Sequence, residues 1–176
     1  FYPSVTFEEG LELIPAIEKK LDEYSLYVDR HRILVFNYKF ASLYFGSGDY
    51  KKAIDYLHKI INGPLDLRID LQCYARLLHL MSHYELKNYD LIESLTKSVY
   101  RFMAKMKNLT VAEEEIFLFL KTSFGFSPSQ LKPGLEKLLH KIKHLEKSRH
   151  ETRAFAYLDI ISWIESKVYN KSMGEI

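Results

Sequence analysis

The stretch Gly48-Asp49-Tyr50-Lys51-Lys52-Ala53-Ile54-Asp55-Tyr56-Leu57-His58-Lys59-Ile60-Ile61 decides the fold. Gly48 reaches positive φ at no steric cost and closes the segment before it. Asp49 is placed to cap a new helix. Ala53, Ile54, Leu57, Ile60 and Ile61 then recur with a 3.6-residue period, while Lys51, Lys52, Asp55 and Lys59 fill the opposite face. Asn62-Gly63-Pro64 ends the pattern. One amphipathic helix, opened by a corner and closed by a breaker, is the unit from which the rest is read.

Working backwards, a helix spans about Val28 to Phe45 and stops at Gly46-Ser47-Gly48. Before it, Thr6-Phe7-Glu8-Glu9 has the form of a capping box, and its helix meets Pro15, where a kink or restart is expected. Working forwards, a fourth helix covers about Arg68 to Leu86 and breaks at Lys87-Asn88. A fifth carries Leu91, Leu95, Val99, Phe102 and Met103 on one side, and a sixth runs from Val111 to Thr122. Ser127-Pro128 starts a seventh, with Leu135, Leu138, Leu139, Ile142 and Leu145 as its apolar stripe. The last, about Thr152 to Val168, carries Phe155, Leu158, Ile161, Ile164 and Val168, and the tail after Tyr169 reads as frayed. No alternating strand pattern occurs, and short loops between long helices imply antiparallel neighbours.

Composition agrees. The 176 residues contain only 7 Gly and 5 Pro, too few for the tight turns of an all-β chain. With 13 Tyr and 11 Phe, the chain is rich in rings suited to interhelical seams and half-exposed grooves. A net charge of +2 gives no reason to expect nucleic acid or an anionic membrane. No apolar run approaches the roughly 18 residues of a spanning helix. Cys73 is the single cysteine, so no intrachain disulfide forms and a reducing, cytoplasmic setting is expected. The chain starts at Phe1 without Met and is read as the C-terminal part of a longer protein.

The unit repeats. Asn88-Tyr89, with Ile92, Thr96 and Val99, restates the corner and stripe that Gly48-Asp49-Tyr50 opens. Tyr50 and Tyr89 stand 39 residues apart, and a further 38 reaches Ser127. Here the sequence resembles the tetratricopeptide-repeat (TPR) family, bacterial TPR proteins among them. The family's small residue, aromatic, Gly-Asp/Asn-Tyr corner and second small residue fall on Ala41, Tyr44, Gly48-Asp49-Tyr50 and Ala53. The next repeat departs from that pattern: Lys87 stands for the glycine, Leu80 and Ile92 for the small residues. The clearest repeats cover 34–65 and 73–106, with 111–168 as a degenerate repeat and capping helices. The resemblance implies one all-α domain over residues 1–176, about eight helices stacked as antiparallel hairpins in a right-handed α-solenoid.

It also implies a protein-interaction scaffold without catalysis or cofactor. The first helix of each hairpin would line a concave groove holding a peptide or helix. The resemblance places Val35, Tyr38, Ser42 and Phe45 there in one hairpin and Tyr74, Leu77, Met81 and Tyr84 in the next. Tyr38 and Ser42 do not supply the Lys/Asn clamp by which some family members grip a terminal carboxylate. Two readings are open: a groove that receives a protein or peptide, or a structural or self-assembling segment, a homo-oligomer included, whose groove is filled internally. A basic surface of Lys137, Lys141, Lys143, Lys147 and Arg149, within segment 132–153, is a third candidate, for nucleic acid or an acidic partner, and reads more simply as a solvated helix face.

His79 and His83, like His140 and His144, are spaced i and i+4 on one helix face. Neither pair has the glutamate of a zinc-protease helix or an obvious third ligand, so no metal is assigned. No phosphate-cradling glycine loop and no Gly-x-Ser-x-Gly elbow occurs.

Overall fold

In the computed structural model, residues 6–65, 68–107, 109–148 and 152–176 are described. Among them there are nine α-helices and no strand. The chain divides into two compact units within the fourth helix, Phe1–Ser82 and His83–Ile176.

In the first unit, α1 (Phe7–Glu23) starts from the Thr6 capping box: Thr6 N donates to Glu9 Oε2 at 2.8 Å and Glu9 N to Thr6 Oγ1 at 3.3 Å. The helix runs through Pro15 without restarting, with the proline exposed. Asp29 caps α2 (Arg30–Gly46), and Asp49 caps α3 (Tyr50–Ile61), accepting from Lys52 N at 3.1 Å. Helix α2 packs against both α1 and α3. Ala41 and Ala53 are fully buried, as small residues at a close helix approach require. The Tyr50 ring sits edge-on to Phe45 at 5.3 Å beneath the corner. A Cβ on Gly46 would stand 2.2 Å from the Phe7 ring, so the ring packs there because that residue has no side chain.

The tyrosine-rich character of the sequence serves this packing. Tyr44 and Tyr56 stack at 5.5 Å, and Tyr56 donates to Glu18 Oε1 at 2.8 Å, tying α3 to α1. Helix α4 (Ile69–Glu85) is the most deeply set of the first unit's helices, with ten of its residues buried. Its one buried amide, Gln72, donates to the Ile60 carbonyl at 2.7 Å at the end of α3. Arg76 reinforces the same seam, donating to the Gln72 carbonyl at 3.1 Å and to Gln72 Oε1.

The corner recurs after α4. At the first, Gly48 has φ +87°, Gly48 N donates to the Phe45 carbonyl and Asp49 N to that of Tyr44. At the second, Lys87 has φ 57°, Lys87 N donates to the Tyr84 carbonyl and Asn88 N to that of His83. Lys87 thus closes α4 with the backbone geometry that Gly48 gives the end of α2.

In the second unit, α5 (Tyr89–Lys105) packs on α6 (Val111–Thr122), α6 on α7 (Pro128–Glu146), and α7 on α9 (Ile160–Tyr169). The buried stripe of α5 is Ile92, Thr96, Val99 and Met103; Leu91, expected on that side, is exposed. The single terminal helix expected over 152–168 is two: α8 (Thr152–Tyr157) and α9, separated at Leu158-Asp159, where Asp159 accepts from Ser162 N at 3.2 Å. The tail does not fray. Asn170 turns left-handed at φ 53°, and a 3-10 turn at Met173–Glu175 packs back on α9. At the centre, Trp163 is buried and donates from Nε1 to Glu85 Oε1 at 2.6 Å, while Lys167 Nζ lies 2.6 Å from Glu85 Oε2.

Candidate functional site

The groove residues expected from the family resemblance are mostly core. Tyr38, Phe45, Tyr74, Leu77 and Met81 are buried, and Val35 and Ser42 are half-covered, Ser42 bonding back to the Tyr38 carbonyl at 2.9 Å. In α4 ten residues are buried, Tyr74, Leu77 and Met81 among them, so these side chains are spent on the core. Of the eight, Tyr84 lines a groove of the second unit.

That groove lies in the second unit, along α5 and α6 and the turn that follows, with a volume of about 1290 Å³. Its floor is Phe117, 4% exposed, with Tyr84 and Phe126 half-buried beside it. Tyr100 stands edge-on to Phe117 at 5.6 Å, the two planes 87° apart. Tyr89, Tyr100 and Leu118 form its apolar rim and are 54%, 42% and 53% exposed. These are side chains of the kind buried when proteins associate.

The charges around it come from α5 and α6. Asp90, Glu93, Lys97 and Arg101 follow one another along α5, and Glu114 and Lys121 stand on α6. Three acids face three bases, so the rim is neutral in sum. Glu93 pairs with Lys97 at 2.6 Å, and Lys97 holds its carboxyl below the ordinary range, with Lys121 adding to the effect. Within the floor, Thr96 is 7% exposed and its Oγ1 has no hydrogen-bond partner among the described residues. An unsatisfied buried hydroxyl costs about 1–3 kcal/mol.

The basic surface is largely paired. Lys141 reaches both Glu115 oxygens, at 2.7 and 2.8 Å, and Lys143 meets Glu165 at 2.5 Å. Lys137 and Lys147 are exposed, and Arg149 lies outside the described residues. Two of the four described lysines thus hold α7 to α6 and α9.

The histidines pair differently from the sequence expectation. His83 Nδ1 lies 2.9 Å from Asn88 Nδ2, at the second corner. His79 instead faces His58 of α3, with Nε2 to Nε2 at 3.1 Å. His140 and His144 are both exposed on α7. Cys73 is buried. No helix of the described residues is long and apolar enough to cross a membrane.

Neither the α5–α6 groove nor the His58–His79 pair was readable from helical periodicity, because each joins residues from separate helices. The nearest signal was the surplus of apolar residues on α5 and α6 beyond what one buried stripe uses, Tyr89, Tyr100 and Leu118 among them. No family model, no curated protein and no solved structure matches the chain.

Proposed function

We propose that the chain is a non-catalytic protein-interaction module built of TPR-like helical hairpins, stacked as a right-handed solenoid and working in a reducing, cytoplasmic setting. Its partner segment lies in the α5–α6 groove. The observation that carries the reading is the groove itself: an aromatic floor at Phe117, an apolar rim at Tyr89, Tyr100 and Leu118, and charges of both signs in equal number. A neutral, aromatic surface favours apolar side chains over phosphates, which need an excess of cations. The lining of α5 runs from Tyr89 to Arg101, about 18 Å at 1.5 Å per residue, the length of roughly three helical turns. The occupant is therefore an amphipathic helix of a partner protein, with its apolar stripe on the floor and a polar group near Thr96 Oγ1.

Peptide display tests this. Selection of random helical peptides on the intact chain is expected to enrich sequences with apolar residues at i, i+3/i+4 and i+7, and binding is expected to vanish with Leu118→Asp. Leu118 is half exposed, so this change leaves the fold intact. Enrichment that survives Leu118→Asp, or no enrichment at all, removes the groove reading.

The burial of Tyr38, Phe45, Tyr74, Leu77 and Met81 supports a second reading, a structural or self-assembling segment whose family groove is filled by its own core. Light scattering separates the two. A concentration-dependent dimer that Leu118→Asp dissolves would make a second copy the occupant.

A further inference from the structure

His58 and His79 come from adjacent helices, α3 and α4, and stand 21 residues apart in sequence. Their Nε2 atoms are 3.1 Å apart and their ring centres 5.0 Å, with the planes at 47°. His58 is exposed and His79 half-exposed, so the pair is open to solvent. The two Nε2 atoms thus meet at hydrogen-bond distance.

We infer that this pair is a two-histidine site for a divalent transition-metal ion. At a metal–nitrogen distance of about 2.05 Å, two ligands at right angles lie about 2.9 Å apart and two at the tetrahedral angle about 3.3 Å. The observed 3.1 Å falls between these, so an ion enters with shifts of a few tenths of an ångström. Neutral imidazole is the commonest protein ligand for zinc, copper and nickel, and Nε2 binds while Nδ1 keeps the proton. The backbone of α3 is fixed at Leu57 and Ile60 and that of α4 at Ala75 and Leu80, all fully buried, so the two rings are held from opposite sides. Among the described residues no third His, Cys, Asp or Glu joins them. The described residues therefore supply two ligands, and water completes the shell. Such a site follows the general order of affinity, with Cu²⁺ ahead of Ni²⁺ and Zn²⁺. This inference is independent of the α5–α6 groove.

The test is calorimetric titration of the whole chain with Cu²⁺ and then Zn²⁺, beside electron paramagnetic resonance of the Cu²⁺ form. The expected result is one saturable Cu²⁺ site with hyperfine splitting from two nitrogens, and weaker Zn²⁺ binding at the same place. His58→Ala is expected to lose about tenfold or more in Cu²⁺ affinity, with its helical circular dichroism unchanged because His58 is exposed. The variant His140→Ala/His144→Ala removes the exposed i, i+4 pair on α7 and is expected to bind as the natural chain does. Absence of saturable Cu²⁺ binding, binding that survives His58→Ala, or binding lost with His140→Ala/His144→Ala overturns the assignment and leaves the two rings as a simple N–H···N hydrogen bond.

Discussion

Lys87 occupies the backbone conformation that Gly48 occupies 39 residues earlier: φ 57° against φ +87°, with the same pair of corner hydrogen bonds. A side chain in the left-handed region costs about 1–2 kcal/mol. Lys87→Gly is therefore expected to raise stability by up to about 1 kcal/mol, part of the gain being offset by the greater freedom of glycine when unfolded. Gly48→Ala should lower it by about 1 kcal/mol, through conformation alone, because nothing lies within 4 Å of the added Cβ. Midpoints of urea unfolding give both signs.

Gly46→Ala tests a contact. Its Cβ would fall 2.2 Å from the Phe7 ring, so α1 must shift or the ring must turn. Overpacking of this kind costs about 1–3 kcal/mol. Phe7→Ala in the same chain is expected to recover most of that loss. Strict additivity in the double-mutant cycle would show that the two residues do not touch.

Glu85 binds two groups of α9, Trp163 Nε1 and Lys167 Nζ, and its side chain is 9% exposed. Removing it strands a buried indole N–H and a part-buried ammonium. Glu85→Ala is expected to cost about 2–3 kcal/mol, and Trp163→Phe about 1–2 kcal/mol. Because the pair is shielded, the loss should persist in concentrated salt, unlike that of the exposed Glu93–Lys97 pair. Urea titrations at low and high salt measure this.

Alkali should weaken the fold. The Tyr56 hydroxyl is held above its ordinary value of 10.0, first by burial and then by its bond to Glu18, and Tyr84 is raised by burial. The folded chain keeps these two protons after the unfolded chain has released its own. Stability is thus undiminished below about pH 10 and falls as pH rises above it. Tyr56→Phe and Tyr84→Phe should each flatten the alkaline slope of unfolding free energy against pH.

Much of the architecture is local, and that part was legible. Thr6 with Glu9, Asp49 after Gly48, and Ser127 before Pro128 announce helix starts through contacts within four residues. The division of the last helix was hidden because the stripe of Phe155, Leu158, Ile161 and Ile164 continues across Asp159; only the cap-forming aspartate marks the break. The core was legible as a set of faces. Which faces are covered was not, since Tyr74 and Tyr100 look alike in a 3.6-residue pattern, yet one is fully buried and the other 42% exposed. Likewise, i, i+4 spacing matched His79 to His83, while packing matched it to His58.

The bond from Gln72 to the Ile60 carbonyl bears on the order in which the chain takes shape as it is made. The end of α3 receives its buried amide from a residue twelve positions later, on the first turns of α4. A nascent chain that has released α3 but not Gln72 lacks that bond, and so its third helix ends frayed. Helix α3 is therefore able to settle only together with the opening of α4, not as half of a single helical hairpin.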